Sequence, residues 1–198
     1  MGKMKHKRVK LSTGVVDVYD EVVPKHVAIN VNNFLMYECA YFVGWEDRPG
    51  KDPNLYSTLP HAVTIPDELM SNLLSRPEFE KRVERLQRKK TVVNLSTASS
   101  IHHVHAHPGD ELVVLYYPNL EWQDHWEGET MLFAEDGEIE MTNKYTPGRI
   151  LVFDAKVPHT IRAQSADGPP FRFSISIFYE KMFEVPNLEK MNEPTTET

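Results

Sequence analysis

The sequence predicts a mainly β domain, a sandwich or a barrel, with helices packed against its outside. Its second half carries short apolar runs at close intervals, and turn residues such as Asp136-Gly137 and Pro147-Gly148 separate them. Helical spacing of apolar residues occurs only before these runs. The runs, which we predict to be strands, cover residues 91–95, 112–117, 130–134, 139–141, 149–153 and 171–179.

In the first 60 residues the sequence patterns predict a mixture of strand and helix. Residues 15–23 alternate apolar and polar side chains like a short strand, which Pro24 ends. In residues 26–43, apolar side chains recur at roughly helical spacing. Residues 48–60 contain three prolines and are predicted to form a loop.

A second helical stretch is predicted over residues 67–90. Pro77 should split it into two helices, because proline lacks the backbone N–H that a helix interior requires. Ser75 is expected to cap the second of these helices, and the basic residues 88–90 to complement the dipole at its carboxyl end.

We expect one domain over residues 1–198, since a chain of this length can bury a substantial core. Residues 1–12 are basic, and we expect a flexible, solvated tail there rather than an arm for an anionic partner. Residues 13–90 would form a helical and mixed support for a β core over residues 91–180. The polar residues 186–198 would form a second flexible tail.

The composition argues against several functional classes. Charged residues make up 26% and hydrophobic residues 40%, which is typical of a soluble globular protein. No apolar run approaches the roughly 20 residues of a membrane span. The net charge of −7 argues against general nucleic-acid binding. Because Cys39 is the only cysteine and the amino terminus lacks a secretory signal, we expect a cytoplasmic protein.

Four histidines lie within six residues, namely His102, His103, His105 and His107. In a strand the last three would project from one side, as crowded core residues, a solvent-facing stripe or metal ligands. Buried imidazoles need hydrogen-bond partners, and nothing nearby would satisfy three of them, so we favour metal ligation. His159, which follows an apolar strand, is the best candidate for a remote ligand. Imidazole suits zinc, iron, copper and nickel alike.

Four pieces of sequence occur in a fixed order around these histidines. They are HAHP at 105–108, LYYPNLEW at 115–122, WEGET at 126–130, and PGRILVF at 147–153 followed by His159 and Arg172. Together they resemble the double-stranded β-helix core of the iron(II)/2-oxoglutarate oxygenases. The likeness is to the prolyl-hydroxylase-like members, in a phage and bacterial branch with a His-x-His-Pro motif. The resemblance covers residues 92–172, and none of the family motifs lies before residue 92.

The resemblance implies a mainly β fold with packed helices around a jelly-roll, cupin-like core. It implies a dioxygenase that needs Fe(II), O2 and 2-oxoglutarate as co-substrate. Such an enzyme hydroxylates its substrate while 2-oxoglutarate is decarboxylated to succinate. The substrate stays unidentified, either a protein side chain or a small molecule.

The metal ligands and catalytic centre that the resemblance implies are His105, His107 and His159. An alternative register uses His103 and His105 instead of His105 and His107. The family usually has an Asp or Glu two residues after the first histidine, and this chain has none there. Asp110 is therefore a candidate for the carboxylate ligand.

The co-substrate would be bound by residues of the later strands. In the family an arginine of the last core strand pairs with the distal carboxylate of 2-oxoglutarate, and Arg172 matches that position. Ser174 shares its strand face, and Tyr117 matches a position with a hydroxyl near the same carboxylate. The ordinary alternatives are a surface ion pair for Arg172 and core packing for Tyr117.

Two other functions fit the same residues. One is a cupin-like enzyme with a three-histidine metal site that does not use 2-oxoglutarate. The other is a non-catalytic binding module in which the missing carboxylate reflects loss of the iron site.

Overall fold

The computed structural model describes residues 5–45, 48–49, 55–59 and 65–182. The expected tail over residues 186–198 lies outside the described residues, as do the first four residues. Within the predicted loop 48–60, two short strands are described and the remaining residues are not.

The described residues form twelve strands, three helices and one short 3-10 turn at Asp124–Trp126. The helices are α1 (Lys25–Tyr37), α2 (Ile65–Leu74) and α3 (Pro77–Val83). The strands are β1 (Lys5–Lys10), β2 (Val15–Asp20), β3 (Phe42–Trp45), β4 (Arg48–Pro49), β5 (Leu55–Leu59), β6 (Leu86–Ser96), β7 (Leu112–Tyr116), β8 (Thr130–Phe133), β9 (Ile139–Asn143), β10 (Ile150–Asp154), β11 (His159–Ile161) and β12 (Arg172–Lys181).

These strands form two antiparallel sheets of a jelly roll. The large sheet has the order β1-β2-β10-β7-β12-β6-β5-β3-β4, and the small sheet has the order β11-β8-β9. A buried apolar cluster joins them, with Leu132 of the small sheet packed among Leu115 and Leu151 of the large one. The predicted mainly β fold with packed helices and a jelly-roll core is therefore confirmed.

Strand β7 shows how the two layers of the core are specified. All five of its residues are buried, because one face is covered by the helices and the other by the second sheet. Val114 and Tyr116 pack with Leu35 and Phe79 of the helices. Val113 and Leu115 belong instead to the apolar cluster between the two sheets. A strand covered on both faces reads as a continuous apolar run, as this one does.

Strand β12 follows the alternation that the sequence predicts. Phe173, Ile175 and Ile177 join the apolar cluster beneath the helices. Arg172 and Ser174 occupy the opposite face, and both are fully buried. The strand thus carries a polar face toward the interior of the jelly roll.

The expectation of a flexible basic tail over residues 1–12 is wrong for residues 5–10. They form β1, which pairs antiparallel with β2 along its whole length. The basic side chains are held in place, since His6 and Arg8 both contact the carboxylate of Asp17 on β2. Because β2 in turn pairs with β10, the amino-terminal part belongs to the same sheet as the predicted core.

The predicted helical stretch 67–90 ends earlier than expected. Pro77 does begin a second helix, but α3 stops at Val83 and residues 88–90 belong to β6. Pairing of residues 86–90 with β12 overrides the local helical pattern. Ser75 is not the cap either, because Arg76 occupies the N-cap position and the Ser75 hydroxyl donates to the Asn72 carbonyl.

The helix predicted over residues 26–43 is also shorter in the structure. Helix α1 ends at Tyr37, and Phe42 already begins β3. No helix in the described part of the chain is long and apolar enough to cross a membrane.

A buried ion cluster fastens the first strands to the sheet. The Asp17 carboxylate is fully buried and lies 2.7 Å from Arg8 Nε, 2.7 Å from Arg82 Nη1 and 2.8 Å from His6 Nε2. Burial alone would raise the pKa of Asp17, but these hydrogen bonds outweigh it and hold the pKa below the ordinary 3.8. Arg82 extends the cluster to Asp154 of β10.

Replacing Asp17 by Asn should lower the free energy of unfolding at pH 7 by about 3 kcal/mol, because the largely buried guanidinium of Arg82 loses one of its two carboxylate partners. The depressed pKa of the folded state means that this stabilisation is present above the unfolded pKa of about 4 and is lost as the pH falls through the folded pKa. Urea titrations should therefore show a difference in unfolding free energy between the two proteins at neutral pH, and this difference should disappear at acid pH. Asp167→Asn, on an exposed turn, serves as the control, and an equal effect there would contradict the prediction.

Candidate metal centre

Two remote segments meet through their backbones and bring three imidazoles together. His105 and His159 form an isolated antiparallel bridge, with N–H to carbonyl distances of 3.0 and 2.8 Å in the two directions. The His107 N–H donates to the Ala155 carbonyl at 2.9 Å, which continues the same register. One ring nitrogen from each of His105, His107 and His159 lies within 4.8 Å of the other two, so that the group could hold one metal ion.

The expected strand through the histidine cluster is only partly present. Residues 101–107 form no regular strand, yet the bridge at His105 keeps the segment extended enough for His107 to share its side.

Backbone carbonyls fix the orientation of two of the imidazoles. His105 Nδ1 lies 2.9 Å from the His103 carbonyl, and His159 Nδ1 lies 2.9 Å from the Val157 carbonyl. A carbonyl only accepts, so each Nδ1 carries the hydrogen and Nε2 is the nitrogen with the lone pair. Burial, together with the neighbouring His105, lowers the pKa of His159 to about 3, so that this imidazole is neutral at physiological pH.

An apolar floor lies beneath the three imidazoles. The Phe153 ring is centred 4.8 Å from the His159 ring, and the Phe178 ring is centred 4.7 Å from the His107 ring. Neighbouring strands hold both phenylalanines in place, since Phe153 and Phe178 each pair with Val113 of β7. Such a floor restricts water on one side of a bound metal.

The remaining candidate ligands are not brought to this group. The side chain of His103 is exposed and lines the cavity mouth, while its carbonyl orients His105. The Asp110 carboxylate instead pairs with Lys89 Nζ at 2.8 Å. Among the described residues, the group that could hold a metal thus consists of three imidazoles and no carboxylate.

A cavity of about 410 Å³ opens onto the imidazoles. Its volume is within the range of small-molecule sites. Apolar walls come from both sheets, and several polar side chains interrupt them. These are Lys90, Asn94, Thr130, Thr160, Ser174 and Ser176.

Arg172 is fully buried at the start of β12, on the same strand face as Ser174, which lines this cavity. Its Nε donates to the Gly128 carbonyl at 3.0 Å, but Nη1 and Nη2 have no hydrogen-bond partner. The guanidinium lies 4.7 Å from the Tyr145 ring centroid, which attracts its charge. Burial lowers the pKa of Arg172, while Tyr145, Tyr117 and Glu129 partly offset the effect.

The unpartnered donors around Arg172 suit an anion. A buried guanidinium whose terminal nitrogens lack hydrogen bonds is costly, and a planar carboxylate would satisfy both of them at once. The Ser174 hydroxyl, on the same strand face, is likewise buried without a partner. Gly128 allows this approach, because a Cβ there would lie 3.2 Å from Arg172 Nε and 3.0 Å from Trp122.

Tyr117 is buried, and its hydroxyl is already engaged. It donates to Thr130 Oγ1 at 2.6 Å and accepts from Asn143 Nδ2 at 3.1 Å. Thr130 lines the cavity, and its own hydroxyl hydrogen stays available for a ligand. The hydroxyl that reaches the cavity is thus that of Thr130, with Tyr117 oriented behind it.

Sequence reasoning did not assign Thr130 or Ser176 to the site. Ser176 had a usable signal, because it lies two residues after Ser174 and shares its strand face. Thr130 had none, since its role depends on the pairing of β8 with β11 and on the Tyr117 hydroxyl.

Several solved structures resemble this one over most of both chains. A prolyl hydroxylase from Trichoplax adhaerens, in complex with a peptide fragment of the hypoxia-inducible factor oxygen degradation domain, has a TM-score of 0.65 at 15% identity. That match covers 84% of this chain and 83% of the other. A Pseudomonas putida prolyl-4-hydroxylase has a TM-score of 0.64 at 13% identity and 84% and 92% coverage. An oxidoreductase of the 2OG-Fe(II) oxygenase family from Burkholderia pseudomallei has a TM-score of 0.58 at 14% identity and 84% coverage of both chains.

No family model matches the sequence, and comparison with curated proteins gives no match either. Since the identities are low, the likeness concerns the backbone. The chain therefore has the double-stranded β-helix fold of the 2-oxoglutarate/iron(II) oxygenases, in the form found in prolyl hydroxylases.

Proposed function

We propose that this protein is an iron(II)- and 2-oxoglutarate-dependent oxygenase that hydroxylates its substrate. One observation carries the proposal: three imidazoles and Ser174 line one cavity, and a buried arginine with two unpartnered nitrogens lies two residues before Ser174 on the same strand face, in a fold that such oxygenases use. A metal centre alone would not need the arginine, and an arginine alone would not need the imidazoles.

The residues at the site fit an iron(II) ion, except that none of the three candidate ligands is a carboxylate. His105, His107 and His159 would hold it through imidazole nitrogens, which for His105 and His159 would be Nε2. The usual carboxylate ligand is replaced by an imidazole, so the protein contributes no negative charge to the site. We therefore expect a more positive centre than the usual triad gives.

The co-substrate would be held by the donors that lack partners. Arg172 would grip the distal carboxylate of 2-oxoglutarate with Nη1 and Nη2, and the hydroxyls of Ser174 and Thr130 would add hydrogen bonds. When bound, iron(II), 2-oxoglutarate and dioxygen together supply the oxidising chemistry, with release of succinate and carbon dioxide. Phe153 and Phe178 would keep water from one side of the centre.

A second candidate is a three-histidine metalloenzyme that does not use 2-oxoglutarate. The ligand set favours it, because among the described residues no carboxylate joins the imidazoles. The buried guanidinium argues for the oxygenase, since that rival gives Arg172 no task. A decayed, non-catalytic site is a poorer explanation still, because the backbone still orients His105 and His159.

The ligand set is tested by iron binding to protein purified without a polyhistidine tag. We expect one Fe(II) per chain, with roughly 100-fold or weaker binding in His107→Ala and His159→Ala, because each removes one of only three ligands. His103→Ala and Asp110→Asn are the matched controls and should bind iron like the wild type. Loss of iron in His103→Ala with retention in His107→Ala would move the site to the alternative register.

The reaction is tested by incubating the protein with iron(II), ascorbate and 2-oxoglutarate. Succinate should form slowly even without substrate, and His159→Ala should form none. Quantifying succinate by mass spectrometry with labelled 2-oxoglutarate excludes contamination. If the iron-loaded protein neither forms succinate nor binds 2-oxoglutarate, the oxygenase proposal is wrong and the rival metalloenzyme stands.

The role of Arg172 is tested by thermal unfolding with nickel(II) in place of iron. At a hundredfold excess over its Kd, 2-oxoglutarate should raise the wild-type midpoint by roughly 5 to 10 °C. Arg172→Met should weaken 2-oxoglutarate binding by about 100-fold or more and abolish that rise. Without 2-oxoglutarate the variant should be no less stable than the wild type, because it removes a buried charge whose two terminal nitrogens lack hydrogen bonds. Arg162→Met, which changes an exposed arginine, is the control.

A further inference from the structure

A chain of hydrogen bonds connects strand β2 with the wall of the cavity. Its members are Asp20 of β2, Arg149 before β10, Asn143 of β9, Tyr117 after β7 and Thr130 of β8. Thr130 and Asn143 stand directly opposite each other in the pairing of β8 with β9, and both are buried. Of these five residues, Thr130 is the one that lines the cavity. The chain therefore ends in the cavity wall at the Thr130 hydroxyl.

The side-chain amide of Asn143 has a fixed orientation. Its Oδ1 accepts from Arg149 Nη1 at 3.2 Å, and its Nδ2 donates to the Lys144 carbonyl at 3.0 Å. A guanidinium only donates and a carbonyl only accepts, so an amide turned by 180° would lose both bonds. Asp20 holds the guanidinium in place, at 2.7 Å from Nε and 2.9 Å from Nη2. The group that Asn143 offers to Tyr117 is therefore its Nδ2, a donor.

This orientation determines where the following hydrogens point. The Tyr117 hydroxyl accepts from Asn143 Nδ2 at 3.1 Å and donates to Thr130 Oγ1 at 2.6 Å. Burial raises the pKa of Tyr117, so the phenol keeps its hydrogen at neutral pH. Thr130 accepts that hydrogen and must direct its own elsewhere. Among the described residues no other group is bonded to its hydroxyl, so this hydrogen is available at the cavity wall.

Two contacts connect the inner end of the chain with Arg172. The Tyr117 ring centroid lies 5.6 Å from Arg172 Cζ, and Arg172 Nε donates at 3.0 Å to the carbonyl of Gly128, two residues before Thr130. Arg172 Nη1 and Nη2 also lack an acceptor among the described residues. An ionised carboxylate offers only acceptor sites, so it suits a region in which the guanidinium and the hydroxyl both donate.

We propose that Asn143 is a positioning residue for co-substrate binding, because it fixes the direction of the chain and thereby makes Thr130 a donor to the distal carboxylate of 2-oxoglutarate. This inference rests on the proposed oxygenase function. In the opposite direction Thr130 would donate to Tyr117 and turn its lone pairs toward the carboxylate, which would repel them. The ion pair of Arg149 with Asp20 thus acts on the cavity through three intervening groups. A donor oriented before the ligand arrives spares the free energy of turning it.

Asn143→Asp should reverse the chain. The new carboxylate can accept from Arg149 as the amide oxygen does, and the neighbouring cation keeps it ionised. Since it has no hydrogen to donate, it must also accept from Tyr117. Tyr117 would in turn accept from Thr130, and the Thr130 hydrogen would no longer point into the cavity.

The measurement is a double-mutant cycle on the full chain loaded with nickel(II), with 2-oxoglutarate binding followed by calorimetry. In the otherwise wild-type protein, Thr130→Val should weaken binding about tenfold, because a hydrogen bond to a charged group is lost. In the Asn143→Asp background the same change should alter binding by less than about twofold, because the hydroxyl no longer donates to the ligand. The added negative charge by itself would weaken binding equally with threonine or valine at position 130, so it cannot remove the difference.

Three further variants serve as controls. Thr130→Ser keeps the hydroxyl and should bind 2-oxoglutarate within about threefold of the wild type. Asn30→Asp adds the same charge to an exposed part of α1 and should keep the wild-type affinity and the full effect of Thr130→Val. Where Asn143→Asp does not fold, Asn143→Ala supplies the second background. With no fixed direction, only part of the molecules would present the donor, and the effect of Thr130→Val should fall to roughly threefold.

Binding of 2-oxoglutarate and substrate-free succinate formation by the wild type are measured on the same preparations. If both occur but Thr130→Val binds as well as the wild type, or its effect is the same in both Asn143 backgrounds, the positioning inference is overturned while the oxygenase function stands. If 2-oxoglutarate neither binds nor yields succinate, both proposals fall. An effect of Thr130→Val that is lost in the Asn143→Asp background and kept in the Asn30→Asp background supports the inference.

Discussion

The candidate site depends on a short backbone pairing between two segments that are far apart in the sequence. The reciprocal hydrogen bonds of His105 and His159 place their side chains next to each other, and the bond from His107 to Ala155 extends the register. Without this pairing the imidazoles would belong to separate loops. Backbone pairing is a precise way of positioning ligands, because it fixes direction as well as distance.

The pairing in turn relies on a core that is covered on both faces. Helices pack on one face of the large sheet and the small sheet packs on the other, so that β7 is buried throughout and β10 and β12 are buried except at their last residues. A buried strand cannot shift its register by one residue without exchanging its two faces. The same constraint that keeps Ile175 beneath the helices therefore keeps Arg172 and Ser174 on the cavity side.

Periodicity of two predicted much of this arrangement from the sequence. It placed Ser174 on the face of Arg172 and opposite to Phe173, and it placed His105 and His107 on one side. The sequence did not decide whether His103 or His107 joins His105 as a metal ligand, because each of them lies two residues from His105. The geometry brings His107 to the group, since the Ala155 carbonyl holds its backbone.

Features that depend on pairing between remote segments were not predictable. The amino-terminal basic residues form β1 because the buried Asp17 attracts Arg8 and His6, and no local pattern indicates that partnership. The Tyr117 hydroxyl was expected near a ligand, yet Asn143 and Thr130 engage it from strands that lie further along the chain. Local sequence predicts strand faces, whereas hydrogen-bond partners follow from topology.

If the three imidazoles hold the metal, the absence of a carboxylate ligand affects more than the metal itself. A carboxylate would cancel one charge of the centre, so its absence must be compensated by other anions or tolerated as an excess. Among the described side chains that line the cavity, none is a carboxylate. The compensating negative charge would therefore have to arrive with a bound molecule, and the two carboxylates of 2-oxoglutarate would supply it. The site would then be closest to electrostatic balance when its co-substrate is bound.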